Sequence, residues 1–230
     1  MFEKIEMAPP DAILGLTDAF KKESNPNKIN LGVGIYKDEK GGTPTLESVK
    51  RAEKRLLEAS APKTYLPIPG APEFGAAVRE LVFSREHPVS AQNRACTAHT
   101  PGGTGALRVA ADFLKRCTGA RSVWMSDPTW ANHPAIFEAA GHPIKTYPYY
   151  DSQTKGIDFA AMRSALANAD KGDVVLLHAC CHNPSGVDLT LDQWRDLAVI
   201  IKDLDLMPVV DFAYQGFGEG LEEDAAGVRL

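Results

Sequence analysis

Two histidines and two cysteines fall within five positions of the stretch LLHACCHNPSG, Leu176 to Gly186, and Asn-Pro-Ser-Gly follows them. Such a cluster offers a metal site, a redox pair or a thiol nucleophile. If residues 178–182 are extended, His178, Cys180 and His182 share a face, but the outer two lie roughly 13 Å apart at about 3.3 Å per residue. One zinc ion with ligand bonds of about 2.0–2.3 Å cannot hold both without a sharp bend. The spacing also misses the usual C-x(2–4)-C, and adjacent cysteines are poor partners for a disulfide with each other. For a cysteine nucleophile aided by histidine, no third orienting residue can be named.

Three further places carry chemistry. TPGGTGALRVAADFL, Thr100 to Leu114, opens an amphipathic helix with a Gly-Gly-Thr-Gly turn. Its glycines let a ligand approach the backbone, Thr104 can cap or donate its hydroxyl, and the helix N-terminus offers free N–H groups to a phosphate. No Gly-Lys-Ser/Thr follows, and the residue three after Gly105 is Arg108, so neither common nucleotide motif is met; an ordinary helix start is the competing reading. GVGIY at Gly32 to Tyr36 is a weaker pattern of the same kind. Asp211 ends an apolar run, with Tyr214 three residues on. A carboxylate there should face a cation or several donors, the plainer alternative being an N-cap. Trp130, in DPTWANH, is either a stacking platform for a flat ligand or core packing.

The elements that must position these groups follow from periodicity. Apolar spacing predicts helices near 11–22, 46–59, 72–83, 104–116, 131–140, 158–168 and 190–205. In the last, Thr190 with Gln193 makes a capping box, Trp194, Leu197, Ile201 and Leu204 line one face, and Pro208 bars continuation. Between them lie β-rich runs at 122–126, 144–148, 174–178 and 208–212, three of them nearly continuous in apolar residues. Alternating strands and helices predict an α/β fold with a mostly parallel sheet flanked by helices. Ligands of such sheets bind beyond the carboxyl ends of the strands, where SDPTW, HACCHNPSG and DFAYQGF would converge.

The 230 residues allow one or two domains. Lys+Arg number 25 against Asp+Glu 30, a net charge of -5, with no basic block to attract nucleic acid or anionic lipid. No apolar run matches an export signal or a membrane span, and the 4 cysteines are too sparse for a disulfide scaffold, which points to a cytoplasmic protein with reduced thiols.

Taken in order, INLGVGIYKDEKG, TYLPIPG, TPGGTGALRVAADFL, SDPTWANH, HACCHNPSGVDLT and DFAYQGFGEGLEEDA resemble the aspartate/aromatic amino acid aminotransferases, fold-type I enzymes dependent on pyridoxal 5′-phosphate (PLP). The resemblance runs over the whole chain. It implies an N-terminal arm over 1–12, the first segment of a small domain over 13–43 and a PLP-binding large domain over 44–230. It implies that Gly102, Gly103 and Thr104 hold the cofactor phosphate, and that Tyr65 reaches the phosphate of the neighbouring subunit in a homodimer. Trp130 would stack on the pyridine ring, and Asn183 and Tyr214 would hydrogen-bond its O3′ oxygen. Asp211 would pair with the ring nitrogen; a carboxylate there keeps the nitrogen protonated, so that the ring accepts electrons as the substrate loses its α-proton. Gly34, Trp130 and Asn183 would lie beside the substrate, and His133 and His178 would support the ring and Asp211. No metal is implied. The family also has cis peptide bonds at positions matching Asp127-Pro128 and Asn183-Pro184.

The family's Schiff-base lysine, in a Ser-x-Ser-Lys motif, and its two carboxylate-gripping arginines match nothing up to Leu230, so the 230 residues alone are expected to be inactive. The family's sheet also places two later strands between a strand near Cys96 and the one ending at Asp211, which predicts a gap or free edges here. A fragment, a true truncation and a half completed by another chain would each account for this. The function implied is amino transfer between aspartate or an aromatic amino acid and a 2-oxo acid. A non-catalytic partner of a full-length subunit, pairing through Tyr65 and the arm, is the alternative, and a metal or thiol hydrolase is a third reading.

Overall fold

The computed structural model describes residues 3–4, 12–30 and 34–230. The arm expected over 1–12 thus lies outside the described residues except for Glu3, Lys4 and Ala12, as do Gly32 and Val33 of GVGIY. The chain forms two compact units, Met1–Thr64 and Tyr65–Leu230. The first carries α1 (Ala12–Lys22) and α2 (Glu47–Ala59). No residue of α2 is buried, and the helix is dressed with exposed i,i+4 pairs, Glu47 with Arg51 and Lys54 with Glu58.

The second unit holds α3 (Pro72–Phe83), α4 (Pro88–Ala91), α5 (Gly102–Phe113), β1 (Val123–Asp127), α6 (Asn132–Ala139), β2 (Ile144–Pro148), β3 (Tyr150–Asp151), β4 (Gly156–Ile157), α7 (Phe159–Leu166), β5 (Val174–His178), α8 (Leu191–Asp203) and β6 (Met207–Asp211). A single π-helical turn, Leu114–Thr118, continues α5. Strands β2, β1, β5 and β6 form, in that order, a parallel sheet, and β3 and β4 make a small antiparallel hairpin.

The pleat sorts the side chains onto two faces. Val123, Met125, Val174 and Leu176 pack with Leu107 and Ala111 of α5 and Ile136 and Phe137 of α6. Trp124, Tyr147, Val175 and Leu177 pack on the other face with Met162 and Leu166 of α7 and Trp194 and Leu197 of α8. Cover on both faces explains the unbroken apolar runs of β1 and β5. The outermost strand, β6, starts exposed at Met207 and Pro208 and is only half-buried beyond them.

Residues 94–100 join no strand, so the strand anticipated near Cys96 does not form and β6 ends the sheet with a free edge. Helix α8 begins as its capping box dictates: Gln193 N–H donates to Thr190 Oγ1 at 3.2 Å, and Thr190 N–H donates to Gln193 Oε1 at 2.9 Å. The last segment folds back on α3, where Arg229 Nε donates to the Val82 carbonyl at 2.7 Å and Gln215 Nε2 to that of Leu81 at 2.9 Å. At the amino edge of the sheet the wholly buried Asp173 accepts from Ser122 N–H, Trp124 Nε1 and Asp170 N–H, with Lys145 Nζ at 3.4 Å. Among the described residues no helix is long and apolar enough to cross a membrane.

Candidate functional site

Strand register builds the site. His178 and Asp211 are paired neighbours at the carboxyl ends of β5 and β6, and two residues back from each, Leu176 and Val209 belong to the core shared with α5 and α6. Alternation therefore points both side chains toward those helices. From α6 comes His133, fully buried, whose Nε2 lies 2.9 Å from Asp211 Oδ2. A carboxylate oxygen accepts, so Nε2 carries the proton, while Thr129 Oγ1 hydrogen-bonds the other ring nitrogen at 2.8 Å. Asp211 thus meets a buried donor in His133, and its side chain keeps 21% exposure. Trp130 is half-buried and meets the His133 ring edge-on, with centroids 5.3 Å apart.

His178 differs from its neighbours. Both of its ring nitrogens are buried with no hydrogen-bond partner among the described residues, and its ring lies 5.2 Å from that of His133. Burial, reinforced by His133, lowers its pKa to about 4, so the ring is neutral at pH 7. Ligand atoms of His133, His178 and Asp211 all lie within 4.8 Å of one another. The 2.9 Å between His133 Nε2 and Asp211 Oδ2 is hydrogen-bond length, whereas ligands of a tetrahedral ion with bonds of about 2.0–2.1 Å stand roughly 3.4 Å apart. The pair is built to hold a proton between its atoms.

The extended geometry assumed for residues 178–182 is corrected by the structure. Cys181 adopts a left-handed φ of 50°, and the turn brings the rings of His178 and His182 to 4.2 Å, not to the roughly 13 Å of an extended strand. His182 nevertheless has no ring nitrogen to spare, since Ser126 and Ser185 take both. Cys180 is buried, and burial pushes its thiol well above the ordinary range, with Cys181 beside it adding to the rise. Neither feature suits a thiolate nucleophile.

The start of helix α5 is open and uncapped. Because α5 leads into β1 through its π turn and a short loop, packing Leu107, Ala111 and Leu114 along the sheet, its start points toward the carboxyl edge of the strands. Gly102 has a φ of +72°, and a Cβ on Gly102 or Gly103 would meet nothing within 4 Å. Pro101 provides no side-chain cap, so the first N–H groups of α5 lack an acceptor from it. Gly102, Gly103 and Thr104 are all exposed. Asn183 and Tyr214 are half-buried in the segments that follow β5 and β6, and both Asp127-Pro128 and Asn183-Pro184 are cis. Tyr65 stands fully exposed, and Gly34, also exposed, belongs to the first unit.

These residues fit a flat ring with a basic nitrogen and a phosphate. Asp211 is a held carboxylate for the nitrogen, Trp130 offers an aromatic face, and the glycine-opened helix end leaves room for the anion. The residues that sequence spacing did not bring forward are Thr129, Ser126, Tyr149, Ser185 and Asp188. Thr129 stands four residues before His133, a spacing that points at it once α6 is known. The Ser126–His182 contact spans 56 residues and has no local signal.

Residues 26–230 match the family described as aminotransferase class I and II. The aspartate aminotransferase of Escherichia coli (strain K12) is 53% identical over 229 residues, covering 100% of this chain and 58% of that protein. An aromatic-amino-acid aminotransferase of Pseudomonas aeruginosa is 48% identical, covering 100% and 57% respectively. Among solved structures, the aromatic-amino-acid aminotransferase from Burkholderia pseudomallei covalently bound to pyridoxal phosphate superposes with a TM-score of 0.94 at 47% identity, over 100% of this chain and 57% of that one. The chain spans under three fifths of the length of these relatives.

Proposed function

The chain belongs to the class I and II aminotransferases, a PLP-dependent family, and on that premise we propose that it forms the cofactor pocket of an enzyme transferring an amino group between an amino acid and a 2-oxo acid. Bound PLP supplies an electron sink for the substrate α-carbon. The residues of this chain bind and orient it. Asp211, fixed by His133 and through it by Thr129, holds the proton on the ring nitrogen. Trp130 faces the ring, Asn183 and Tyr214 hydrogen-bond its O3′ oxygen, and Gly102, Gly103 and Thr104 bind the phosphate. Trp130 and Asn183 line the substrate side.

Aspartate and aromatic amino acids are both carried as donors, because relatives named for each are similarly close, at 53% and 48% identity. The same reading makes the protein a cytoplasmic homodimer in which Tyr65 serves the neighbouring pocket. It takes residues 13–43 as the first segment of the small domain and 44–230 as the PLP-binding domain. The observation that carries the proposal is the Thr129–His133–Asp211 relay at the edge where β5 and β6 end. Titration of the purified chain with PLP tests it. Asp211→Ala should weaken binding about 30-fold or more, as loss of one partner of a desolvated charged pair does. Unchanged affinity would remove Asp211 from the site.

A further inference from the structure

We propose that His182 is the positioning residue that holds the Asn183 turn against the end of β1, so that Asn183 reaches the cofactor only while His182 keeps its contacts. This rests on the reading of Asn183 as a cofactor contact. His182 is 2% exposed, and every polar group it owns is engaged. Its Nε2 hydrogen-bonds Ser126 Oγ at 2.9 Å and its Nδ1 hydrogen-bonds Ser185 Oγ at 2.8 Å. Its backbone N–H donates to Asp188 Oδ1 at 2.8 Å, beside Cys181 N–H on Oδ2 at 2.6 Å, and its carbonyl accepts from Gly186 N–H at 2.7 Å. The ring stacks on Tyr149, with centroids 3.9 Å apart and planes 13° from parallel. Tyr149 in turn donates its hydroxyl to the Val187 carbonyl at 2.8 Å.

These contacts come from three parts of the fold: the end of β1, the segment after β2, and the turn itself. Ser126 is the last buried residue of β1, one residue before the strand ends at Asp127 and gives way to the loop that carries Thr129 and Trp130. One imidazole therefore ties the loop of Trp130 to the turn of Asn183, and it lies one peptide bond from Asn183. A packing residue needs none of this; Cys180, two positions earlier, is also buried and serves as the contrast. Burial, with His178 next to it, lowers the His182 pKa to about 3. The neutral ring then has one donor and one acceptor nitrogen, which gives the two serines opposite roles and fixes the ring's orientation.

The test uses the full chain, with PLP affinity and the circular dichroism induced in bound PLP as readouts. His182→Phe keeps the ring on Tyr149 and removes both ring hydrogen bonds. We expect PLP affinity to fall about threefold to tenfold, with an altered dichroism band. In an Asn183→Ala background, His182→Phe should add nothing, because its effect passes through Asn183. Fully additive losses, or native affinity and dichroism in His182→Phe alongside a lowered melting temperature, would overturn the proposal and leave His182 a stabilising residue only. If Asn183→Ala alone leaves both readouts native, the assignment of Asn183 fails, and the role of His182 falls with it by a separately recognisable result. Should His182→Phe not fold, Ser185→Ala, which removes one bond at the rim of the turn, is read in the same way.

Discussion

Asp211 derives its usefulness from what stands behind it. His133 fixes one carboxylate oxygen at 2.9 Å and is itself fixed by Thr129 at 2.8 Å, so two rotamers are locked by hydrogen bonds rather than by packing alone. Replacing His133 by Phe fills the buried volume but frees Asp211. PLP affinity measured by absorbance titration should drop about threefold to tenfold, less than for Asp211→Ala, because the carboxylate itself survives. Gly102 makes a sharper case at the same scale. Its φ of +72° lies in the left-handed region, yet a Cβ there meets no neighbour within 4 Å. Gly102→Ala should therefore cost about 1–2 kcal/mol of stability through backbone strain alone, measured as a urea midpoint, and, if the proposed phosphate site is right, weaken PLP binding as well.

At the scale of elements, the capping box is the simplest feature to challenge. Thr190→Ala removes the side-chain acceptor of Gln193 N–H, and the chain should lose about 1 kcal/mol, seen as a lower urea midpoint with unchanged helical circular dichroism. That box was legible because its four residues are contiguous; the seven long helices were legible from their apolar period, and the four sheet strands from short β-rich runs, three of them nearly continuous in apolar residues. The hairpin β3–β4, with two residues per strand, and the single turn of α4 are too short to show a period. The π turn after α5 has no pattern of its own either. The bend after His178 escaped for a different reason: it depends on a left-handed residue, Cys181, whose type does not announce that conformation, and on Asp188 catching two N–H groups from seven and six residues away. The polar residues of the pocket stood out by type, but the pairing of Ser126 with His182 required the sheet to be assembled first.

The second unit treats buried polar groups differently along its strands: at the carboxyl edge both ring nitrogens of His178 are buried without a hydrogen-bond partner among the described residues, whereas Asp173 at the amino edge is held by several donors. Wholly buried, Asp173 binds the indole of Trp124 and two backbone N–H groups, so its removal orphans several donors. Asp173→Ala should destabilise the chain by about 3 kcal/mol in urea unfolding without altering the carboxyl-edge pocket. Acid brings both edges into play. Burial raises the Asp173 and Asp224 carboxyls, but their hydrogen bonds outweigh it and hold both pKa values below the usual carboxylate range. That stability is present above an unfolded pKa of about 3.9 and is lost as pH falls below it. The imidazoles act earlier. With folded pKa values of about 4 for His178 and about 3 for His182 against an unfolded value near 6.5, the unfolded chain takes up protons that the folded chain refuses. Stability is therefore full above about pH 6.5 and falls as pH drops toward those folded values, by up to about 1.4 kcal/mol per pH unit for each imidazole. Urea midpoints at pH 7, 5.5 and 4.5 should decline, the fall between pH 7 and 5.5 coming before carboxylates with unfolded pKa values of about 3.9–4.3 take up protons to any extent, and His182→Phe should flatten that decline while starting from a lower midpoint at pH 7. A midpoint constant from pH 7 to 4.5 would show that neither ring is buried in its neutral form.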